Sequence, residues 1–366
     1  MILCISIFSY YGILLGLYPG RDVLITDNYR EDEIQALITL AELEFPIDTP
    51  NNITYKTFPS NIDEAQSYFR SFRTDLTSAY KRLQTQSLVE PHKDFWILTP
   101  GGKEIAEQVR KARPPIYYWY REYHSAIENS EAFDEFSRRI FGENLGQHDF
   151  TDITQLKMML ERVQLDTGSS VLDIGCGNGK IAEYISDMTG AKVTGVDYIP
   201  EAIEIARKRT TSKSDRLSFQ IGDIEDPVEA GIWFDLVLSI DSMYFSDADI
   251  LLTAWKKLLK PHGKMAIFYL SLDGKDISAV LEKNSLSYDV YDLSREHWEH
   301  MQRKHISAKE MKAQFVSEGN LFVWENLMME SVSDKSPYDP EKTPMRRYLY
   351  IINNSLDSIR DQSTLH

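Results

Sequence analysis

A run of glycines, DIGCGNG over residues 173–179, is the feature that most restricts the fold of this chain. It directly follows the apolar segment 170–174 and precedes the amphipathic segment 180–188. A strand that turns sharply through glycines into a helix is typical of parallel α/β sheets, in which the turn binds a ligand. Glycine at 175 and 177 lets the backbone bend and a ligand approach, and Gly179 lets the helix pack closely on the strand.

Two aspartates near this loop indicate which ligand it binds. Asp173 ends the first strand, where its charge would repel the pyrophosphate of a dinucleotide but attract an ammonium group. The dinucleotide pattern G-x-G-x-x-G also requires glycine at the position of Lys180. Asp197 ends the next apolar segment, 22 residues after Gly175, where an acid accepts hydrogen bonds from ribose hydroxyls. S-adenosylmethionine, a nucleotide without phosphate that carries an amino group, is therefore the predicted cofactor.

Strand and helix patterns alternate after residue 151. We predict strands over 170–174, 192–197, 217–221, 234–240, 263–270, 321–329 and 347–352, with helices over 180–188, 200–208 and 248–259 between them. This spacing predicts an α/β domain with a Rossmann-like, seven-stranded, doubly wound sheet. The segment 271–305 is long for a connection, which favours a cap with a functional role.

Five segments of this region resemble, in order and spacing, the class I S-adenosylmethionine-dependent methyltransferases, especially those of quinone biosynthesis and of sarcosine or dimethylglycine. The segments are VLDIGCGNGK, VTGVDY, IGDIEDP, FDLVLSIDSMYF and LLKPHGKMAIF, within residues 170–270. The resemblance implies an enzyme that moves a methyl group by in-line displacement to a nitrogen, oxygen or carbon atom of a small molecule. It implies that the cofactor-binding residues are Asp173, Gly175, Cys176, Gly177, Asp197, Tyr198, Asp223, Ile224 and Ser239.

A general base is required only where the acceptor arrives protonated. His148, Asp241 and Tyr244 are the catalytic candidates, and the long connection adds His297, His300 and His305. Because histidines in a charged helix are usually solvated, we expect the last three to lie at the surface. The two cysteines, Cys4 and Cys176, lack metal-ligand spacing, and no metal site is predicted.

The first third of the chain predicts a smaller α+β domain. Helices are expected over 31–43, 63–72, 74–86 with Thr74 as N-cap, and 103–111, with short strands at 87–89 and 95–98 around the polar tip 90–94. This order, and the phrase L-T-x-x-G-x-x-x-A over 98–106, resemble a winged helix-turn-helix module. Two prolines at 114 and 115 predict the boundary. The predicted division is an apolar segment 1–22, a winged-helix-like domain 23–113, an aromatic helical linker or lid 114–150 and a methyltransferase domain 151–366 with its cap at 271–305.

Charge and composition bear on the partners. A formal net charge of −16 disfavours nucleic acid, so we expect the first domain to serve for packing, homodimerisation or covering the site. Reduced cysteines predict a cytoplasmic protein. The apolar segment 1–19 leaves open a buried helix, a membrane anchor or an over-extended translation start. A winged-helix regulator that senses S-adenosylmethionine, and an RNA or protein methyltransferase, are the alternative functions.

Overall fold

The computed structural model describes residues 28–44, 76–93, 95–112, 115–146, 150–225, 227–229, 231–243, 247–271 and 274–354. They fall into two compact units that divide between Tyr123 and His124. Cys4, Thr74 and the segments predicted over 1–22 and 63–72 lie outside the described residues. No helix among the described ranges is long and apolar enough to cross a membrane. Membrane contact by residues 1–19 and the predicted domain limits therefore stay predictions.

The unit that ends at Tyr123 contains helices and one hairpin. Its elements are α1 (Glu31–Glu44), α2 (Thr77–Thr85), β1 (Val89–His92), β2 (Phe95–Leu98), α3 (Pro100–Ala112) and the first part of α4 (Pro115–Ile127). The prediction was wrong about the start of α2, which begins at Thr77 and not beside residue 74. It was also wrong about the first strand, because the antiparallel ladder pairs Val89 with Leu98 and continues to His92. Lys93, with φ +57°, turns the chain there.

The second unit surrounds one seven-stranded sheet. After α5 (Glu131–Phe141) and α6 (Ile153–Val163), its elements are β3 (Ser170–Ile174), α7 (Lys180–Thr189), β4 (Lys192–Asp197), α8 (Pro200–Arg209), β5 (Leu217–Ile221), β6 (Phe234–Ile240), α9 (Ala248–Lys256), β7 (Leu259–Ser271), α10 (Ser278–Lys283), β8 (Ser287–Asp292), α11 (Ser294–Ser317), α12 (Leu321–Met329) and β9 (Arg346–Asn353). The strand order is β5-β4-β3-β6-β7-β9-β8. The sheet is parallel except for β9, which is antiparallel to β7 and β8. The predicted Rossmann-like α/β sheet is confirmed.

Buried side chains on both faces of the sheet explain why its central strands are continuous apolar runs. Val171 packs into one core cluster with Leu236 and Leu238, and Leu172 packs into the other with Val237. The chain passes from β3 outward to β5 and then returns to β6, on the other side of β3. This reversal opens a crevice at the carboxyl ends of β3 and β6, which is where open α/β sheets bind ligands.

The sequence prediction was wrong about the seventh strand. The segment 321–329 is the helix α12, because its buried residues Val323, Asn326 and Leu327 recur at helical spacing. The strand at the sheet edge is β8, which lies inside the predicted cap 271–305. β8 pairs only with β9 and none of its side chains is buried, so it lacks the apolar signal used to find strands.

The start of the fifth sheet strand was also misplaced. The prediction treated residues 260–263 as a turn before a strand that begins at Gly263. The structure instead has β7 starting at Leu259, which pairs with Phe234, and the register shifts before Leu236 pairs with Lys264. His262, with φ +64°, lies within this irregularity. The turn residues thus form a bulge inside the strand.

Candidate functional site: an acidic glycine loop at the sheet crevice

The loop after β3 is held in place by the end of β4. The amides of Gly175 and Cys176 donate to the Val196 carbonyl at 2.8 and 3.0 Å. Gly177 has φ +53°, and a Cβ added there would lie 2.7 Å from Cε1 of His124. This position therefore requires glycine both for its left-handed backbone and for its closeness to the imidazole. His124 is a packing partner that the sequence did not indicate.

Asp197 connects β4 to the loop. Its Oδ2 accepts a hydrogen bond from the Gly177 amide at 2.9 Å, and its Oδ1 accepts one from the Ile199 amide at 2.9 Å. Burial raises the pKa of this carboxyl to about 6, although the backbone amides act in the opposite direction. Each carboxylate oxygen has a second lone pair, so the geometry leaves acceptor capacity for a ligand hydroxyl.

Asp173 is the more unusual acid. Its side chain is 3% exposed, and its Oδ2 accepts no hydrogen bond from any residue that the structure describes. Burial, and then the charge of Asp197, raise the pKa of the Asp173 carboxyl to about 7. A buried carboxylate oxygen without a partner is costly. A cationic group placed at this oxygen would remove that cost, which is what the amino group of S-adenosylmethionine offers.

A second set of contacts closes the crevice at the end of β6. Ser242 Oγ donates to the Ile174 carbonyl at 2.9 Å and lies 2.8 Å from Ser239 Oγ. Ser239 is fully buried. These hydroxyls hold the carboxyl ends of β3 and β6 together. Ser242 was not singled out from the sequence, because nothing in its local pattern shows that it contacts β3.

Asp241 forms an ion pair with Arg347, which the sequence did not predict. Nη1 and Nη2 of Arg347 donate to its Oδ1 and Oδ2 at 2.7 and 2.8 Å, and Nη2 also donates to Thr151 Oγ1 at 2.7 Å. The Arg347 side chain is fully buried and that of Asp241 is 9% exposed. A bidentate pair of this kind fixes both side chains. Asp241 also has φ +50°, a conformation that few residues other than glycine adopt.

The remaining predicted cofactor residues lie on the same edge of the sheet, after β3, β4 and β5. Asp223 Oδ1 accepts from the Glu225 amide at 3.0 Å, and the Ile224 carbonyl accepts from Trp255 Nε1 at 2.7 Å. Tyr198 directly follows Asp197. Burial raises the pKa of the Cys176 thiol well above its usual range, so the thiol stays protonated. His148 and Tyr244 lie outside the described residues.

The long connection places histidines where the sequence did not predict them. His297 is 1% exposed and His300 is fully buried, so the prediction that they lie at the surface was wrong. Both lie on the face of α11 that also buries Trp298 and Met301. Helical spacing with these apolar residues was the available signal. Among the described residues no group of His, Cys, Asp and Glu side chains is arranged to hold a metal.

Comparison with known proteins identifies the domain to which this site belongs. Residues 165–325 match the model of a family described as "Methyltransferase domain". Residues 165–325, which include the glycine loop, are therefore similar to a methyltransferase domain. The Oδ2 of Asp173, which accepts no hydrogen bond from the described residues, fits the amino group of the predicted cofactor S-adenosylmethionine.

Several relatives share this domain. "Methyltransferase GfsG" of Streptomyces halstedii is 35% identical over 114 residues, which cover 30% of this chain and 41% of that protein. "Ubiquinone biosynthesis O-methyltransferase" of Xanthomonas euvesicatoria is 30% identical over 146 residues, covering 37% and 60%. The chain thus spans about half the length of these curated relatives.

Among solved structures, phosphoethanolamine N-methyltransferase 2 of Haemonchus contortus, in complex with phosphomonomethylethanolamine and S-adenosylhomocysteine, gives a TM-score of 0.49. The identity is 19%, over 64% of this chain and 59% of that one. The name of the Xanthomonas relative specifies an O-methyltransferase, whereas the name of the Streptomyces relative specifies no acceptor atom.

Proposed function

We propose that this chain is an enzyme that transfers a methyl group from S-adenosylmethionine to a small-molecule acceptor. The observation that carries the proposal is the buried, unpaired Oδ2 of Asp173 at the glycine loop. Asp197 lies beside it, so two acids surround the crevice with negative charge. Such a site attracts a positively charged nucleotide and repels a diphosphate. The family match over residues 165–325 supports the same assignment.

Each predicted cofactor residue receives a role in this proposal. Asp173 binds the amino group of the cofactor, and Asp197 binds the ribose hydroxyls. Asp223 accepts a hydrogen bond from the adenine amino group, while Ile224 flanks the ring. The glycine loop gives the cofactor close access to the backbone. Cys176, Tyr198 and Ser239 complete the surroundings.

Methyl transfer requires the protein mainly to position the cofactor and the acceptor. When bound, S-adenosylmethionine supplies a methyl group on a sulfonium, which needs little activation. The protein has to hold an electron-rich acceptor atom in line with that carbon and exclude water. The bidentate ion pair with Arg347 makes Asp241 suited to orient the site. His148 and Tyr244 remain the candidate bases for an acceptor that arrives protonated.

For the first unit we propose a winged-helix-like domain that serves protein packing or homodimerisation. The antiparallel hairpin of β1 and β2, followed by α3, is the part of the described structure that supports this proposal. The exposed residue Glu90 on β1 would oppose binding of a phosphate backbone. Light scattering on the full-length chain tests the dimer, and a monomer across micromolar concentrations rejects it.

Calorimetric titration with S-adenosylmethionine and with NAD tests the enzymatic proposal. We expect binding of the first and not of the second. Asp197→Ala should weaken the cofactor by about 1–3 kcal/mol, which is roughly 5- to 150-fold in Kd, because hydrogen bonds to the sugar are lost. Asp215→Asn, at an exposed position, is the control and should change nothing. Tight binding of NAD with no binding of S-adenosylmethionine would reject the proposal.

A further inference from the structure

A buried polar cluster lies next to the crevice, on the side away from the cofactor loop. Arg347, which pairs with Asp241 at the end of β6, starts this cluster. Its guanidinium Cζ lies 5.8 Å from the centre of the Phe150 ring, and Lys304 Nζ lies 4.9 Å from the same ring. The His297 ring meets Phe150 edge-on, with 4.6 Å between centres. Phe150 is therefore surrounded by polar groups, although it is 4% exposed.

Each of the two cations of this cluster forms an ion pair with an acid. Lys304 Nζ donates to Glu330 Oε2 at 2.9 Å, and both side chains are buried. Arg347 is held by Asp241 and Thr151. Each of the two positive charges is therefore paired with a carboxylate.

The histidines differ from the cations. Neither ring nitrogen of His297, and neither of His300, has a hydrogen-bond partner within the described part of the chain. The nearest charged oxygen to His300 is Asp152 Oδ2, at 4.0 Å from Nδ1, which is too far for a hydrogen bond. Such groups are rare in folded proteins because each one loses its hydrogen bonds to water.

A third buried side chain with unsatisfied polar atoms lies on α6, three residues after Asp152. Gln155, at the start of α6, is buried, and both its amide nitrogen and its amide oxygen lack a partner among the residues with described positions. Its backbone amide donates to Asp152 Oδ1 at 2.9 Å, and the other oxygen of Asp152 is the one that faces His300. Three buried side chains with unsatisfied polar atoms, two on α11 and one on α6, indicate a site built to bind something polar.

We propose that His297, with His300 and Gln155, binds the polar group of the methyl acceptor, and that this group is a hydroxyl or carboxylate oxygen rather than an ammonium. The inference rests on the proposed methyltransferase function and names the acceptor chemistry of that site. A neutral imidazole has one donor and one acceptor nitrogen, so two imidazoles and an amide match an oxygen ligand. An ammonium would be repelled by the neighbouring Arg347 and Lys304.

The surrounding charges keep both imidazoles neutral. Burial is the largest cause that lowers the pKa of His297 and of His300 well below the usual value of 6.5. The charges of Lys304 and Arg347 act in the same direction on both imidazoles, and the charge of Arg303 also acts on His300. From the side of α11, His297 faces His300 and Lys304, and from β9 it faces Arg347. The lowered pKa values favour the neutral form of each imidazole, which has one donor and one acceptor nitrogen.

The test compares His297→Leu with His305→Leu, the same replacement on the same helix. His305 is partly exposed and lies within 3.3 Å of Ser331 Oγ. Removing an unsatisfied buried imidazole should raise the thermal midpoint of the cofactor-free protein by about 2–4 °C. The control should give no increase. A fall in the midpoint of His297→Leu would show a structural role and overturn the proposal.

Turnover gives the second readout, with radiolabelled S-adenosylmethionine and two groups of probes. Catechol and 3,4-dihydroxybenzoate present oxygen groups, and benzylamine and ethanolamine present ammonium groups. We expect methylation of the oxygen probes, a rise of about 10-fold or more in their KM in His297→Leu, and an unchanged Kd for the cofactor. Preference for the amines, or an unchanged KM, would overturn the inference.

Different results would reject the methyltransferase function and the acceptor site. If the unaltered protein does not bind S-adenosylmethionine in calorimetry, the methyltransferase function itself is rejected. If it binds the cofactor but His297→Leu lowers the midpoint, only the acceptor site is rejected. If none of the four probes is methylated, the change in midpoint decides the proposal by itself.

Discussion

Replacing Asp173 with asparagine tests the electrostatic basis of cofactor binding. The substitution keeps the shape of the side chain but removes its charge. A hydrogen bond between a carboxylate and a cation contributes about 1.5–3 kcal/mol. Asp173→Asn should therefore raise the Kd for S-adenosylmethionine by roughly 10- to 150-fold at pH 8.

The pH dependence makes this test sharper. The pKa of Asp173 is about 7, so the carboxyl is mostly ionised at pH 8 and mostly protonated at pH 6. Because the cation prefers the ionised form, affinity in the unaltered protein should fall about 10-fold from pH 8 to pH 6. In Asp173→Asn this fall should be largely lost. Isothermal titration at pH 6, 7 and 8 measures both effects.

The free energy of unfolding should change with pH in the opposite direction to the affinity for the cofactor. The pKa of Asp173 in the folded protein, about 7, is above its ordinary value of 3.8. The cofactor-free protein therefore loses stability as the pH rises from about 4 through 7, by at most about 4 kcal/mol. Asp173→Asn removes this loss, so its free energy of unfolding at pH 8 should exceed that of the unaltered protein. A Kd within twofold of the unaltered value, with the same pH profile, would refute the reasoning.

Two further substitutions test the loop and the ion pair. Gly177→Ala should destabilise the protein by about 1–3 kcal/mol and weaken cofactor binding, because Gly177 has φ +53° and the new Cβ would contact His124. Gly231→Ala is the control, because Gly231 has φ +94° but open space around it, so its loss of stability in thermal unfolding reports backbone strain alone. Equal losses of stability in the two variants would contradict the steric argument. Arg347→Gln should lower the free energy of unfolding by about 3–5 kcal/mol in denaturant titrations, because Asp241 stays buried without its partner. Arg346→Gln is the control. If Arg347→Gln lowers the free energy of unfolding no more than Arg346→Gln does, the ion pair is dispensable.

The sequence alone was sufficient for four parallel strands of the sheet and for the glycine loop. β3, β4, β5 and β6 have the predicted limits, because each is a short, mainly apolar segment whose signal is local. Asp173 and Asp197 were identified for the same reason, since each ends such a run. The sequence could not show that Oδ2 of Asp173 lacks a hydrogen-bond partner among the residues that the structure describes.

Features that depend on distant parts of the chain were decided only by the tertiary structure. The polar edge strand β8 is stabilised by its pairing with β9, while the apolar segment 321–329 becomes a helix because it packs at helical spacing. Arg347 reaches Asp241 across 106 positions of the sequence. His297 is buried because α11 packs that face against Phe150. The local sequence pattern indicates which residues prefer burial. The residues that a buried side chain contacts are determined by the packing of the whole chain.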